Sequence, residues 1–388
     1  MKICLFNVTS TMDAIGTREV GGVEAYVFRL AEALQARGHK VVLFGGQPRL
    51  GRVFQPSAVE VRLAPYWKTE AIPDLGTRFQ RFVQRLHFAA RTRRMLLADR
   101  WDAILIFKPY DFFAAWAWRR AGFRGRIVAS IHGPEFFWID RSVHHAVDAL
   151  YAVSRGVAEA VVNRYARPCP VLPNFLRADL FLPIPWDHPA PKGRMILGVG
   201  RLVGWKGYAI LLRAFARVRA KFPDVTLCLA GDGPERASLE TEAIRLGIAN
   251  AVRFVGTVDG DGIRRLHRAA RLFVQPSIGY ESFSIATLEA VASGVPCAVS
   301  GRVAIADWFH GSEVLDIFPH GDEEAMAACL SLSLSRPWEE ARERCCCGRR
   351  VVEANFIDTA VAPHIEALCD GTWDGSGEAG FCGKGAAA

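Results

Sequence analysis

Glu281 and Glu289 flank a short stretch in which serines, a phenylalanine and a threonine lead into the segment 285–294, where Glu289 is the only charge among Ile285, Ala286, Leu288, Ala290, Val291 and Ala292. A segment apolar nearly all round predicts a buried helix. A carboxylate buried there without a partner costs several kcal/mol, so Glu289 must meet a polar group, either an arginine of the same chain or the hydroxyls of a ligand. A second constellation lies upstream. The run Ile196-Leu197-Gly198-Val199-Gly200 ends in glycines, and Arg201 and Lys206 follow before an amphipathic pattern over 208–221. Glycines after a strand let a backbone approach an anion, and the next helix presents free N–H groups. Arg201 can fork onto phosphate oxygens while Lys206 adds a point charge, a pairing that suits a diphosphate. The same Gly-x-Gly also opens ordinary βα units.

These residues need elements to hold them. Apolar runs alternate with helical patterns in both halves, which predicts βαβ units and parallel sheets. Strands are expected at 2–8, 40–44, 103–107, 126–131, 150–153 and 170–172, with a helix over 22–37 stopped by Gly38. In the second half they are expected at 194–200, 226–230, 253–255, 272–275, 296–300 and 314–318. Four prolines between Phe181 and Pro191 forbid regular structure and mark a hinge. The fold class is therefore α/β, with two doubly wound Rossmann-like domains facing across a cleft. The expected division is 1–183, a linker at 184–192, a second domain over 193–348, a segment 349–369 returning to the first domain, and a disordered Gly/Ala/Ser-rich tail over 370–388. In such sheets ligands bind beyond the carboxyl ends of the strands, where Arg201 and the Glu281 loop both fall.

Composition narrows the class. A chain of 388 residues with 51% hydrophobic and 23% charged residues has ample core for two domains. No run approaches about eighteen apolar residues, so no spanning helix is expected, and the apolar start turns polar at Asn7, as a first strand does and a signal peptide does not. The ten cysteines form no Cys-x-x-Cys pair and no zinc spacing, and Cys345-Cys346-Cys347 are too contiguous for a disulfide framework. Reduced thiols in a cytoplasm are expected. Residues 1–185 carry 26 Lys and Arg against 15 Asp and Glu, whereas the remainder carries 22 against 25. The excess peaks at Arg78, Arg81, Arg85, Arg91, Arg93 and Arg94, interleaved with Phe79, Phe82, Val83, Leu86 and Phe88. That pattern suits an anionic membrane surface, and equally a solvated helix whose apolar stripe faces the core. No nucleic-acid motif accompanies it. Asp259-Gly260-Asp261 has the spacing of a divalent-cation site but stands before an expected helix, where aspartates cap. No metal and no cofactor is expected.

Taken in order, Gly-Gly-Val-Glu at 21–24, Ile-His-Gly at 131–133, Ala-Val-Ser at 152–154, Leu-Pro-Asn at 172–174, Gly-Arg-Leu with Lys206-Gly207, Gly-Asp-Gly-Pro-Glu at 231–235, Phe-Val-Gly at 254–256 and the paired glutamates resemble glycosyltransferase family 4. The resemblance runs to about residue 369. It implies the GT-B architecture and transfer of a hexose-type sugar, with retention and without a metal, from a nucleotide diphosphate sugar to an acceptor hydroxyl. By resemblance Arg201 and Lys206 clamp the diphosphate, Glu289 accepts from ribose hydroxyls, and Glu281 holds donor-sugar hydroxyls. The stretch Ser282-Phe283-Ser284-Ile285 contacts the donor. Gly21 and Gly22 admit a phosphate or the acceptor, Gly231, Asp232, Val255 and Gly256 line the nucleoside pocket, and His132 lies near the anomeric carbon. Members commonly carry glycines where Ser282 and Ser284 stand here, and serine tolerates positive φ less well. The basic first domain favours a glycan or lipid-linked acceptor, as in envelope or exopolysaccharide assembly at the inner face of the cytoplasmic membrane, with a soluble acceptor as the alternative. A non-catalytic sugar-nucleotide-binding scaffold is the alternative. A dinucleotide-dependent oxidoreductase is disfavoured, because no Gly-x-Gly-x-x-Gly follows the first strand.

Overall fold

The computed structural model describes residues 1–7, 22–47, 59–65, 67, 72–73, 77–181, 190–191 and 193–374. Its described residues divide into two compact units, one formed by the chain up to Phe175 together with the stretch from Asp358 to Asp374, the other by Leu176–Ile357.

In the first unit, strands β1 (Lys2–Phe6), β2 (Lys40–Gly46), β3 (Glu60–Ala64), β4 (Ala103–Ile106), β5 (Arg126–Ile131) and β6 (Ala149–Ala152) form one parallel sheet in the order β3-β2-β1-β4-β5-β6. The central strands are continuous apolar runs because helices cover both faces. On one face Phe6, Phe44, Phe88 and Trp118 pack together, Phe6 meeting Trp118 edge to face at 4.9 Å. On the other, Tyr26, Leu30 and Phe107 pack with Val361, Ile365 and Leu368. Those last three lie on helix Asp358–Asp370, so the chain's last described helix belongs to the first unit.

The second unit repeats the plan. Strands β7 (Met195–Val199), β8 (Thr226–Ala230), β9 (Val252–Gly256), β10 (Ala270–Gln275), β11 (Cys297–Ser300) and β12 (Leu315–Phe318) run parallel in the order β12-β11-β10-β7-β8-β9. Numbered within each unit the two orders are the same, and both reverse direction between the first and fourth strands. That reversal, between β7 and β10 here, opens the crevice in which doubly wound sheets take ligands.

Some expectations change. Residues 170–172 make only an isolated bridge, Val171 with Ala152, because the following Pro173 has no N–H to continue a ladder. The edge strand β3 went unrecognised among polar residues. The units part at 175/176 and at 357/358, not within the proline-rich stretch, of which residues 182–189 and 192 lie outside the described residues, as does the tail from 375. The basic helix spans Thr77–Leu97, and its apolar side, including Phe88 and Leu96, enters the core. Arg85 is not a surface cation. It is 3% exposed and donates to Asp111, itself 1% exposed, from Nε at 2.7 Å and Nη2 at 2.5 Å. Arg81, Arg91, Arg93 and Arg94 are exposed.

Candidate active site

The site is assembled at the β7/β10 switch point of the second unit. The chain leaves β7 through Gly200 at φ +154°, where a Cβ would stand 2.8 Å from the Tyr208 hydroxyl and 3.8 Å from Lys206 Nζ. Arg201 follows, exposed, its guanidinium without a partner among the described residues. A single turn, Gly204–Lys206, then delivers Lys206 before Gly207 at φ +76° starts helix Tyr208–Lys221. Gly207 has to be glycine twice over, since a Cβ would also sit 2.1 Å from the Pro276 carbonyl oxygen. Through that approach the loop after β7 lies against the loop after β10. The backbone oxygen of Trp205 fixes it there, accepting from Ile278 N at 2.9 Å and Gly279 N at 3.0 Å.

Lys206 Nζ donates to Glu281 Oε1 at 2.6 Å, each side chain only 11% exposed. The other carboxylate oxygen, Oε2, accepts from Ser277 Oγ at 2.5 Å and from Gln275 Nε2 at 3.1 Å. The glutamate backbone is pinned too: its N–H donates to Arg302 O and its carbonyl accepts from Ala304 N, both at 2.9 Å. Lys206 also sits 4.8 Å from the centre of the half-exposed Trp205 ring. The buried Tyr208 hydroxyl has no hydrogen-bond partner among the described residues, and burial together with the Glu281 charge pushes its pKa up. It stays a neutral phenol. Sequence reasoning missed Gln275 and Ser277; their signal was polar residues at and just past the end of a mostly apolar strand.

Past Glu281, Phe283 is buried against Phe356, ring centres 5.8 Å apart, so only its backbone is available to a ligand. Ser282 and Ile285 are half-buried. Ser284 adopts φ +79° and caps helix Ile285–Ala292, its Oγ accepting from Thr287 N at 3.3 Å. Glu289 is half-buried rather than enclosed, because one side of this helix reaches the surface; the requirement for a buried partner is correspondingly relaxed.

The glycines of the β8 and β9 loops have a packing reason. Gly231, at φ +137°, would place a Cβ 1.9 Å from Gly200 O, and its N–H donates to Gly256 O at 2.7 Å. Asp232 O accepts from Leu202 N at 3.0 Å, and its Oδ1 accepts from Gly233 N at 2.7 Å. Val255 and Gly256 are half-buried at the end of β9, Gly256 at φ +71°. Arg201, Gly231, Asp232 and Gly256 thus stand on touching loops beside the Lys206–Glu281 pair. Asp259 is a cap: its Oδ1 accepts from Gly262 N at 2.7 Å, and Asp261 pairs with Arg264.

In the first unit His132 follows β5. It is buried, with Nε2 2.9 Å from Ser130 Oγ and its ring edge to face with Tyr26 at 4.6 Å. Burial, reinforced by the nearby Lys108 charge, pushes its pKa down to about 3, so the imidazole is neutral at physiological pH. Gly22 is the exposed first residue of helix Gly22–Ala36; Gly21 lies outside the described residues.

Two Rossmann-like domains of identical strand order, one presenting a cation and a carboxylate at its switch point, define the GT-B class. The first unit matches the family model "Glycosyltransferase Family 4" over residues 20–180, and the second matches "Glycosyl transferases group 1" over 193–335. The phosphatidyl-myo-inositol mannosyltransferase of Mycobacterium leprae is 31% identical over 325 residues, 80% of this chain and 83% of that protein. A GDP-mannose-dependent alpha-(1-6)-phosphatidylinositol monomannoside mannosyltransferase of Mycolicibacterium smegmatis is 32% identical over 207 residues, 47% of this chain and 54% of that one. Among solved structures, sucrose-phosphate synthase of Thermosynechococcus elongatus superposes with a TM-score of 0.77 at 24% identity, covering 97% of this chain and all of that one. The chain belongs to glycosyltransferase family 4 and is a glycosyltransferase.

Proposed function

We propose that the protein transfers a hexose, with mannose the first candidate, from a nucleoside diphosphate sugar to a hydroxyl of a lipid or lipid-linked glycan, with retention at the anomeric carbon and without a metal. The observation that carries this reading is the Lys206–Glu281 pair at the switch point, with the exposed Arg201, unpartnered among the described residues, on the adjoining loop. Cleaving the bond between sugar and phosphate develops negative charge on the departing diphosphate and positive charge on the sugar. Arg201 and the start of helix Tyr208–Lys221 supply preorganised positive potential for the first, joined by Lys206 once it turns from Glu281, which makes a cation unnecessary. Glu281 accepts from donor-sugar hydroxyls and Glu289 from the ribose. The loops at Gly231-Asp232 and Val255-Gly256 hold the base, backbone groups of 282–285 border the sugar, and Gly21-Gly22 and neutral His132 serve the acceptor side.

The choice of mannose and of a lipid acceptor rests on the two mannosyltransferase relatives. The exposed Arg81, Arg91, Arg93 and Arg94 on one helix support contact with anionic headgroups at the inner face of the cytoplasmic membrane, the setting of envelope glycan assembly. The test is product formation from GDP-mannose, and from UDP-glucose as comparison, with phosphatidylinositol vesicles or extracted lipids, with and without chelator. The anomeric configuration of the product is read by NMR. A transfer abolished by chelation, or a product of inverted configuration, contradicts the mechanism. Ser284 at a backbone angle that suits glycine favours a second reading, a donor-binding protein without turnover. Donor binding with no product under every acceptor would select it.

A further inference from the structure

Lys206 and Glu281 satisfy each other, and this bears on how a donor enters. Oε2 of Glu281 is already engaged by Ser277 and Gln275, two residues with no exposed surface, whereas Oε1 has Lys206. The two groups required by the two halves of the donor, an ammonium for the diphosphate and a carboxylate oxygen for the sugar, are thus bonded together at 2.6 Å with little access to water. Resting on the donor reading above, we infer that this ion pair is an internal counterion which the intact donor exchanges on both sides at once, so that the site selects the sugar nucleotide over the bare nucleoside diphosphate.

A diphosphate that draws Lys206 away strips Oε1 of its partner in a place where solvent cannot readily replace it, and the loss opposes binding. A sugar hydroxyl arriving with that diphosphate donates to Oε1 and removes the opposition. Binding of the two halves is therefore coupled, and the coupling is reciprocal. Arg201 has no such internal partner among the described residues and engages the diphosphate without competition from them. Trp205 keeps its ring 4.8 Å from the ammonium, a second contact that the lysine charge can retain. After transfer the sugar is gone, Glu281 recaptures Lys206, and the spent nucleotide is released.

Calorimetric titration of the whole protein with GDP, GDP-mannose, UDP and UDP-glucose, on wild type and on Glu281→Gln, tests this. For the nucleotide that binds, wild type should prefer the sugar-bearing form by about tenfold or more, a coupling of the size usual between linked sites. Glu281→Gln should bind the bare diphosphate about tenfold more tightly than wild type and show almost no preference between the two forms. A variant that binds the diphosphate no more tightly than wild type overturns the inference while leaving the donor reading in place. Wild type that binds none of the four overturns the donor reading and the inference together. Should Glu281→Gln not fold, wild type alone decides: an excess of free mannose or glucose should tighten the matching diphosphate several-fold, and competition or independence overturns the inference.

Discussion

Ser284 Oγ lies 2.9 Å from Thr287 Oγ1 while the serine backbone stands at φ +79°, one of two non-glycine residues with positive φ among the described residues. The hydroxyl caps the helix that carries Glu289, and the cap offsets a conformation costing about 1–3 kcal/mol for a residue with a Cβ. Ser284→Ala keeps the strain, loses the cap and leaves the buried Thr287 hydroxyl short of a partner, so it should destabilise by about 2 kcal/mol. Ser284→Gly loses the cap but relieves the strain and should stay within about 1 kcal/mol of wild type. Urea unfolding ranks the three; glycine worse than alanine contradicts the strain.

Gly231→Ala should cost about 2–4 kcal/mol and weaken donor binding, because the new methyl group points at the Gly200 carbonyl and the backbone is left-handed. The β7 and β8 loops would have to part. Melting temperature and a donor titration on the same sample check it.

Arg201→Ala should leave stability within about 0.5 kcal/mol of wild type, since its side chain is exposed and without a partner among the described residues. Turnover should fall by about a hundredfold if the guanidinium neutralises the leaving diphosphate. Near-normal turnover removes Arg201 from the mechanism.

Arg85→Ala should destabilise by about 3–5 kcal/mol by leaving Asp111 buried and unpaired. Arg85→Met combined with Asp111→Leu should recover much of the loss. A single variant no worse than an exposed Arg91→Ala, judged by denaturant midpoint, would show that Arg85 works at the surface.

Stability should decline as pH falls from about 6.5 towards about 3. His132 and His267 are both buried, and burial, with the Lys108 charge added for His132, holds each at about 3, below the unfolded value of about 6.5. As acid is added the unfolded chain takes up these protons first, so stability fully present above about 6.5 is lost progressively down to about 3. His267→Leu should flatten the dependence by one proton in urea midpoints between about pH 7 and pH 4, and an unchanged slope refutes the neutral buried imidazole. Because His132 is already neutral, it should contribute no inflection near pH 6.5 to kcat/KM.

Much of the plan was legible because its signals are local. Apolar runs the length of a strand, helical periodicity between them and glycines at the turns recur with the spacing that βαβ units impose, and they gave nearly all the strands and the order of motifs. Weakly apolar segments misled: β3 was missed among charges, and 170–172 read as a strand without a ladder. Arg85 illustrates the same limit, since one residue type serves a membrane face or a buried ion pair equally well and only the approach of Asp111 decides which.

Within the site, residue types set what chemistry is available: a guanidinium, an ammonium and carboxylates at the ends of strands suit a charged, hydroxyl-rich ligand. Tertiary structure alone decided that Lys206 and Glu281, 75 residues apart, bond to each other while Arg201 stays exposed and unpartnered among the described residues, and that Gln275 and Ser277 hold the second carboxylate oxygen. It also decided that Gly231 is required by the Gly200 carbonyl. Helical and strand propensities act over a few neighbouring residues and are written in sequence order, whereas an ion pair across a switch point exists only once two distant strands lie side by side and their loops close to within hydrogen-bond reach.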